Sequence, residues 1–101
     1  MSAFTGEGFK PTEKELRGFG SKLGDELFRK ARTKGMEAEQ AYAQVYIAGA
    51  VAGGLTAKEA ESRSFVAGSI YQGEKIAGRH HGEALDEVFL SGYVAGREAK
   101  A

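Results

Sequence analysis

The chain has no cysteine, which excludes disulfides, thiolate metal sites and thiol nucleophiles and agrees with a reducing interior. It has a single proline, Pro11, so nothing after that point interrupts a helix by ring closure. It lacks a net charge: fourteen basic residues balance fourteen acidic ones, leaving no global field to draw it to nucleic acid or an anionic membrane. It also lacks a long apolar run. The most apolar stretch, residues 45–55, is about half of the roughly 20 residues a membrane-spanning helix needs. No alternating β-branched segment bounded by turn residues argues for a strand.

What is present points to an all-α domain. At 101 residues with 42% hydrophobic content, the chain suits one domain with a modest core. Residues 1–11, with Phe4 and Phe9 among small and polar neighbours, show no periodicity and are expected to form a flexible arm. They carry no basic flank followed by an apolar run, so they do not read as a signal peptide, and cytoplasmic residence is the expectation. Residues 12–101 are read as a single helical domain of about four helices.

The first helix is predicted over 13–33, opened by the capping-box pair Thr12 and Glu15 and stopped by Gly35. The second, over 37–52, is the most apolar and should be central, ending at Gly53 and Gly54. Thr56 and Glu59 form a second capping box, opening a third helix over 57–77 in which Gly68 and Gly73 leave room for a kink or break. A turn over 78–82 precedes a fourth helix over 83–99.

The chain carries 15 glycines, many inside these helices, where each costs about 0.5 to 1 kcal/mol relative to alanine. An aromatic, aliphatic, small residue and glycine recur as Tyr46-Ile47-Ala48-Gly49, Phe65-Val66-Ala67-Gly68 and Phe89-Leu90-Ser91-Gly92. The unequal spacing excludes a solenoid. In two helices a second glycine follows four residues later, at Gly53 and Gly96. Gly49, Gly53, Gly68, Gly92 and Gly96 are therefore expected to be sites of close helix packing, within one chain or between copies in a homo-oligomer. Among the aromatics, Tyr42, Tyr46, Tyr71 and Tyr93 are the candidate anchors for a protein partner, since aromatic side chains bury much area at low entropy cost.

The segment Phe89-Leu90-Ser91-Gly92-Tyr93-Val94-Ala95-Gly96-Arg97 resembles the aromatic-x-x-Gly-aromatic-x-x-Gly helices of small uncharacterised proteins of bacteriophages and other mobile elements. The resemblance covers one helix. It implies a modulator or inhibitor of a host complex, such as a defence system, that acts in the host cytoplasm by occlusion.

Two other constellations stand out. Residues 55–66 are similar in rhythm to the first helix and turn of helix-turn-helix repressors. Ser69, Gln72, Lys75 and Arg79 would then supply groove and phosphate contacts, although Glu61 and Phe65 stand where that motif usually has a small residue and a turn glycine. His80, Glu83 and Glu87 share a face if helical and could hold a metal ion, against a reading as a solvated turn with carboxylates at a helix N-terminus. No nucleophile elbow or phosphate-cradling loop is evident, so neither catalysis nor a cofactor is expected.

Overall fold

A computed structural model describes the backbone of residues 13–100 and the surface exposure of Gly18 and residues 21–100. The expected arm and the Thr12 cap lie outside the described residues. The elements are α1 (Glu13–Thr33), α2 (Ala38–Gly53), α3 (Ala57–Arg63), a 3₁₀ turn (Ser64–Val66), α4 (Ala67–Ile76) and α5 (His81–Lys100). No strand occurs among the described residues, and no helix there is long and apolar enough to cross a membrane.

Local chemistry accounts for the helix ends. Gly35 and Gly54 adopt φ of +86° and +127°, where a side chain would be strained, and the chain folds back over each helix terminus. The Met36 N–H donates to the Ala31 carbonyl at 3.1 Å and the Leu55 N–H to the Ala50 carbonyl at 3.1 Å, the closures of a Schellman motif. The α4 terminus is closed in the same way at Gly78. The N-terminus of α3 carries a complete capping box. The Glu59 N–H donates to Thr56 Oγ1 at 3.1 Å, and the Thr56 N–H donates to Glu59 Oε1 at 2.9 Å.

That cap yields a prediction. The hydrogen bonds from Thr56, first the backbone N–H, hold the Glu59 carboxyl below the usual glutamate range, with Lys100 adding at 3.5 Å. Because the folded pKa lies below the unfolded one, the contribution is present above the ordinary carboxylate pKa and is lost as pH falls through the folded value. Thr56→Ala is expected to lower stability by about 1 kcal/mol at neutral pH. In thermal melts across the acid range, Glu59→Gln should show a shallower loss of Tm than the wild type; identical acid limbs would contradict this account.

The third helix differs from expectation. It breaks at Ser64–Val66, ahead of Gly68, and both Gly68 and Gly73 lie inside an uninterrupted α4. The cause is local. The Ser64 N–H and the Ser64 hydroxyl both donate to the Glu61 carbonyl, the latter at 2.7 Å, which tightens the chain into an i→i−3 turn. The α5 helix starts at His81, two residues before the expected position, because the Glu83 carboxylate reaches back to accept from the His80 N–H at 3.0 Å.

The most extensive packing is between α2 and α5. Gly49 lies against Phe89 and Tyr93, and Gly53 against Tyr93 and Arg97, while Gly92 lies against Tyr46 and Ala50. Positions advance together along both helices, so the two run parallel. A parallel pair needs a return path of about 24 Å for a helix of this length. The limb α3–3₁₀–α4 supplies it, packing on both α2 and α5. The α1 helix also packs on both and runs antiparallel to α2, with Gly24 against Val45 and Leu85 and Phe28 on Tyr42. Phe89, Leu85, Val45 and Val88 are the largest side chains fully sealed in the core. The result is a small all-α bundle of four long members: α1, α2, the α3–α4 limb and α5.

The α2/α5 seam is built on backbone contact. A Cβ at Gly49 would overlap the Phe89 carbonyl, at Gly53 the Tyr93 carbonyl, and at Gly92 the Tyr46 carbonyl. At Gly96 it would lie 3.0 Å from the Gly53 Cα. Gly68 differs: its nearest neighbour is the flexible Glu39 Cγ at 3.7 Å. The contact lies within one chain, so these glycines do not by themselves call for a second copy.

Candidate functional site

The four tyrosines expected as partner anchors are all buried, with 5 to 8% of their surface exposed. Tyr46 and Tyr93 flank the glycine seam, and Tyr42 and Tyr71 enter an aromatic cluster that joins four helices. The Tyr42 and Tyr71 rings stack with centroids 4.0 Å apart, and Phe28 stacks on Tyr42 at 5.5 Å. His81 meets Phe28 edge-on at 4.8 Å, and its Nδ1 lies 2.8 Å from the Tyr71 hydroxyl. Its Nε2 faces the Asp25 carboxylate at 3.9 Å. With the imidazole neutral and protonated on Nε2, Nδ1 accepts from Tyr71. Burial, followed by the neighbouring Tyr71, raises the Tyr42 pKa above the ordinary tyrosine range. Sequence reasoning treated His81 as part of a solvated turn. Its partners come from two other helices, α1 and α4, which no local pattern announces. Asp25, His81 and Tyr71 line up as carboxylate, imidazole and hydroxyl, inside the aromatic cluster. The arrangement ties α1, α2, α4 and α5 together.

The metal alternative is not assembled. Glu83 is committed to the His80 backbone, which holds its carboxyl below the usual range, and His80 itself is exposed. Among the described residues no three His, Asp or Glu side chains converge to hold a metal ion.

The helix-turn-helix alternative places its residues on the surface but in the wrong setting. Ser69, Gln72, Lys75 and Arg79 are exposed, and Arg79 Nε lies 3.6 Å from Glu74 Oε1. Ser69 and Gln72 border an open cavity of about 480 Å³ whose charged lining is Glu39 and Glu61, so the face next to them would repel phosphate. Packing of α3 and α4 is on α2 and α5, with little contact between the two, whereas a helix-turn-helix pair packs on itself.

The surface feature that sequence reasoning missed lies on the same limb. Phe65 is 82% exposed and Ile76 is 86% exposed, the two most exposed large apolar side chains among the described residues. Phe65, Ser69 and Gln72 line one cavity wall, and Ile76 continues their row. The spacing of four, three and four residues is that of a helix-docking stripe. The available signal was this spacing. It was obscured because Phe65 falls within the recurring aromatic and glycine signature, whose other aromatics, Tyr46 and Phe89, are buried. Gly73 adjoins the stripe, and a Cβ there would meet nothing within 4 Å.

Compared with protein-family models, with curated proteins and with solved structures, the chain finds no match in any of the three.

Proposed function

We propose that this protein is a non-enzymatic interaction module that binds another protein through the outer face of α4 and acts by occluding the surface it covers. The observation that carries this reading is the exposure of Phe65 and Ile76 on one stripe, joined by the uncharged Ser69 and Gln72. Water-exposed Phe and Ile gain on the order of 1.5 to 3 kcal/mol each when fully buried by a partner. Phe65 stands on the 3₁₀ turn that leads into α4 and Ile76 at the end of α4, a limb anchored by its buried side in the bundle, so little ordering entropy opposes binding.

The test is capture from a bacterial lysate with wild-type and Phe65→Asp/Ile76→Asp baits, read by quantitative mass spectrometry. The expected result is a partner enriched by the wild type and lost by at least about tenfold with the double variant, whose own melting should match the wild type. Equal recovery by both baits would sink the assignment of this face. Salt-dependent binding to duplex DNA, weakened by Lys75→Ala and Arg79→Ala, would replace it with a nucleic-acid function.

A further inference from the structure

We infer that the outward stripe of α4 is the contact face for a second copy of this chain, with the two α4 helices antiparallel about a two-fold axis. The inference rests on reading this face as a docking surface and adds the identity of an occupant.

Self-complementarity comes first. An isologous contact needs a surface that matches itself after a half-turn. An axis crossing α4 midway between residues 70 and 71 brings Phe65 of one copy over Ile76 of the other, and Ser69 over Gln72. Both apolar ends are thereby covered, and the polar centre pairs a hydroxyl with a carboxamide, each able to donate and accept.

Charge selects the same orientation. Glu39 and Glu61 outnumber Arg63 at the Phe65 end, and Lys75 and Arg79 outnumber Glu74, which lies 3.6 Å from Arg79 Nε, at the Ile76 end. Antiparallel apposition brings the net acidic end of one copy to the net basic end of the second, whereas a parallel pairing would set like ends together. Gly73 is the third observation. It is an interior helix glycine whose Cβ position meets nothing within 4 Å among the described residues, and it leaves the flank of the stripe open to close approach.

Size sets the strength. The eleven rises from Phe65 to Ile76 extend about 16 Å, and a helix is about 10 Å wide. The face therefore falls well short of the roughly 800 Å² per partner of a standard stable interface. The dimer is weak and reversible, which leaves the face available for exchange with another protein.

Sedimentation velocity from micromolar to millimolar chain concentration tests this. The expected result is a weight-average mass rising from one chain towards two, with the midpoint moved upward by at least about tenfold in Phe65→Asp and in Ile76→Asp. Circular dichroism and Tm should show both variants folded, since both side chains are exposed. Because the chain has no cysteine, Ser69→Cys and Gln72→Cys chains can be mixed and oxidised cleanly. Crosslinks between the two kinds of chain should exceed those within either kind. A single-chain mass throughout, or undiminished association of Ile76→Asp, or dominant Ser69→Cys homodimers, would overturn the proposal. If the chain stays monomeric while partner capture still depends on Phe65 and Ile76, only the self-contact fails. If neither depends on them, the docking face itself is wrong.

Discussion

Gly92→Ala, a change of one methyl group, is expected to lower the stability of this protein by about 3 kcal/mol, while Gly73→Ala raises it by about 0.5 to 1 kcal/mol. Both glycines are interior to helices, and alanine is the better helix former at either position. The difference lies in what the added carbon meets. At Gly73 there is open space within 4 Å. At Gly92 the Cβ would overlap the Tyr46 carbonyl and stand 2.9 Å from the Ala50 amide nitrogen, so backbone must move. A side chain could rotate away, but the α2 backbone can retreat only by lifting off α5. That opens the register shared by Gly49, Gly53 and Gly96. Gly92→Leu should therefore abolish the folded state, whose stability is about 5 to 15 kcal/mol for a typical domain. Urea denaturation of the three variants decides it. A Gly92→Ala protein as stable as the wild type would mean that α2 and α5 do not meet backbone to backbone.

The same contrast shows how much was legible in the sequence. Gly35 and Gly54 could be read as helix stops because a left-handed turn is a local requirement that glycine meets without help from distant residues. The Thr56 and Glu59 box was legible for the same reason, since all its partners lie within four positions. The 4-residue spacing of Gly49 with Gly53 and Gly92 with Gly96 marked small faces. It did not say that these faces meet each other, or in which direction, because that depends on where α3 and α4 carry the chain. The aromatic cluster was less legible still. Tyr42, Tyr71, His81 and Phe28 come from four helices, and each alone is compatible with exposure or burial. The candidate face was hidden by a competing pattern: the aromatic and glycine signature suggested one environment for three segments.

Phe89→Ala is expected to cost about 3 to 5 kcal/mol, and Phe65→Ala less than about 0.5 kcal/mol, although the two phenylalanines occupy the same place in that signature. Phe89 is fully buried, as the largest side chain sealed in the core, and its carbonyl is the group that Gly49 admits. Truncating it removes the transfer energy of a ring and leaves a cavity lined by helices that cannot collapse further, because α2 and α5 already touch. Phe65 sits in the 3₁₀ turn. There Ser64, drawn to the Glu61 carbonyl, and Ala67 take the inward positions that the aromatic takes in α5. The turn thus rotates the signature by one residue and delivers its aromatic to solvent. Paired thermal melts measure both costs. A Phe65→Ala loss approaching that of Phe89→Ala would mean that Phe65 packs in the core, and the outer face of α4 would then lose its anchor. A small loss leaves a large apolar side chain held in water by its own backbone, on a limb whose stability does not need it.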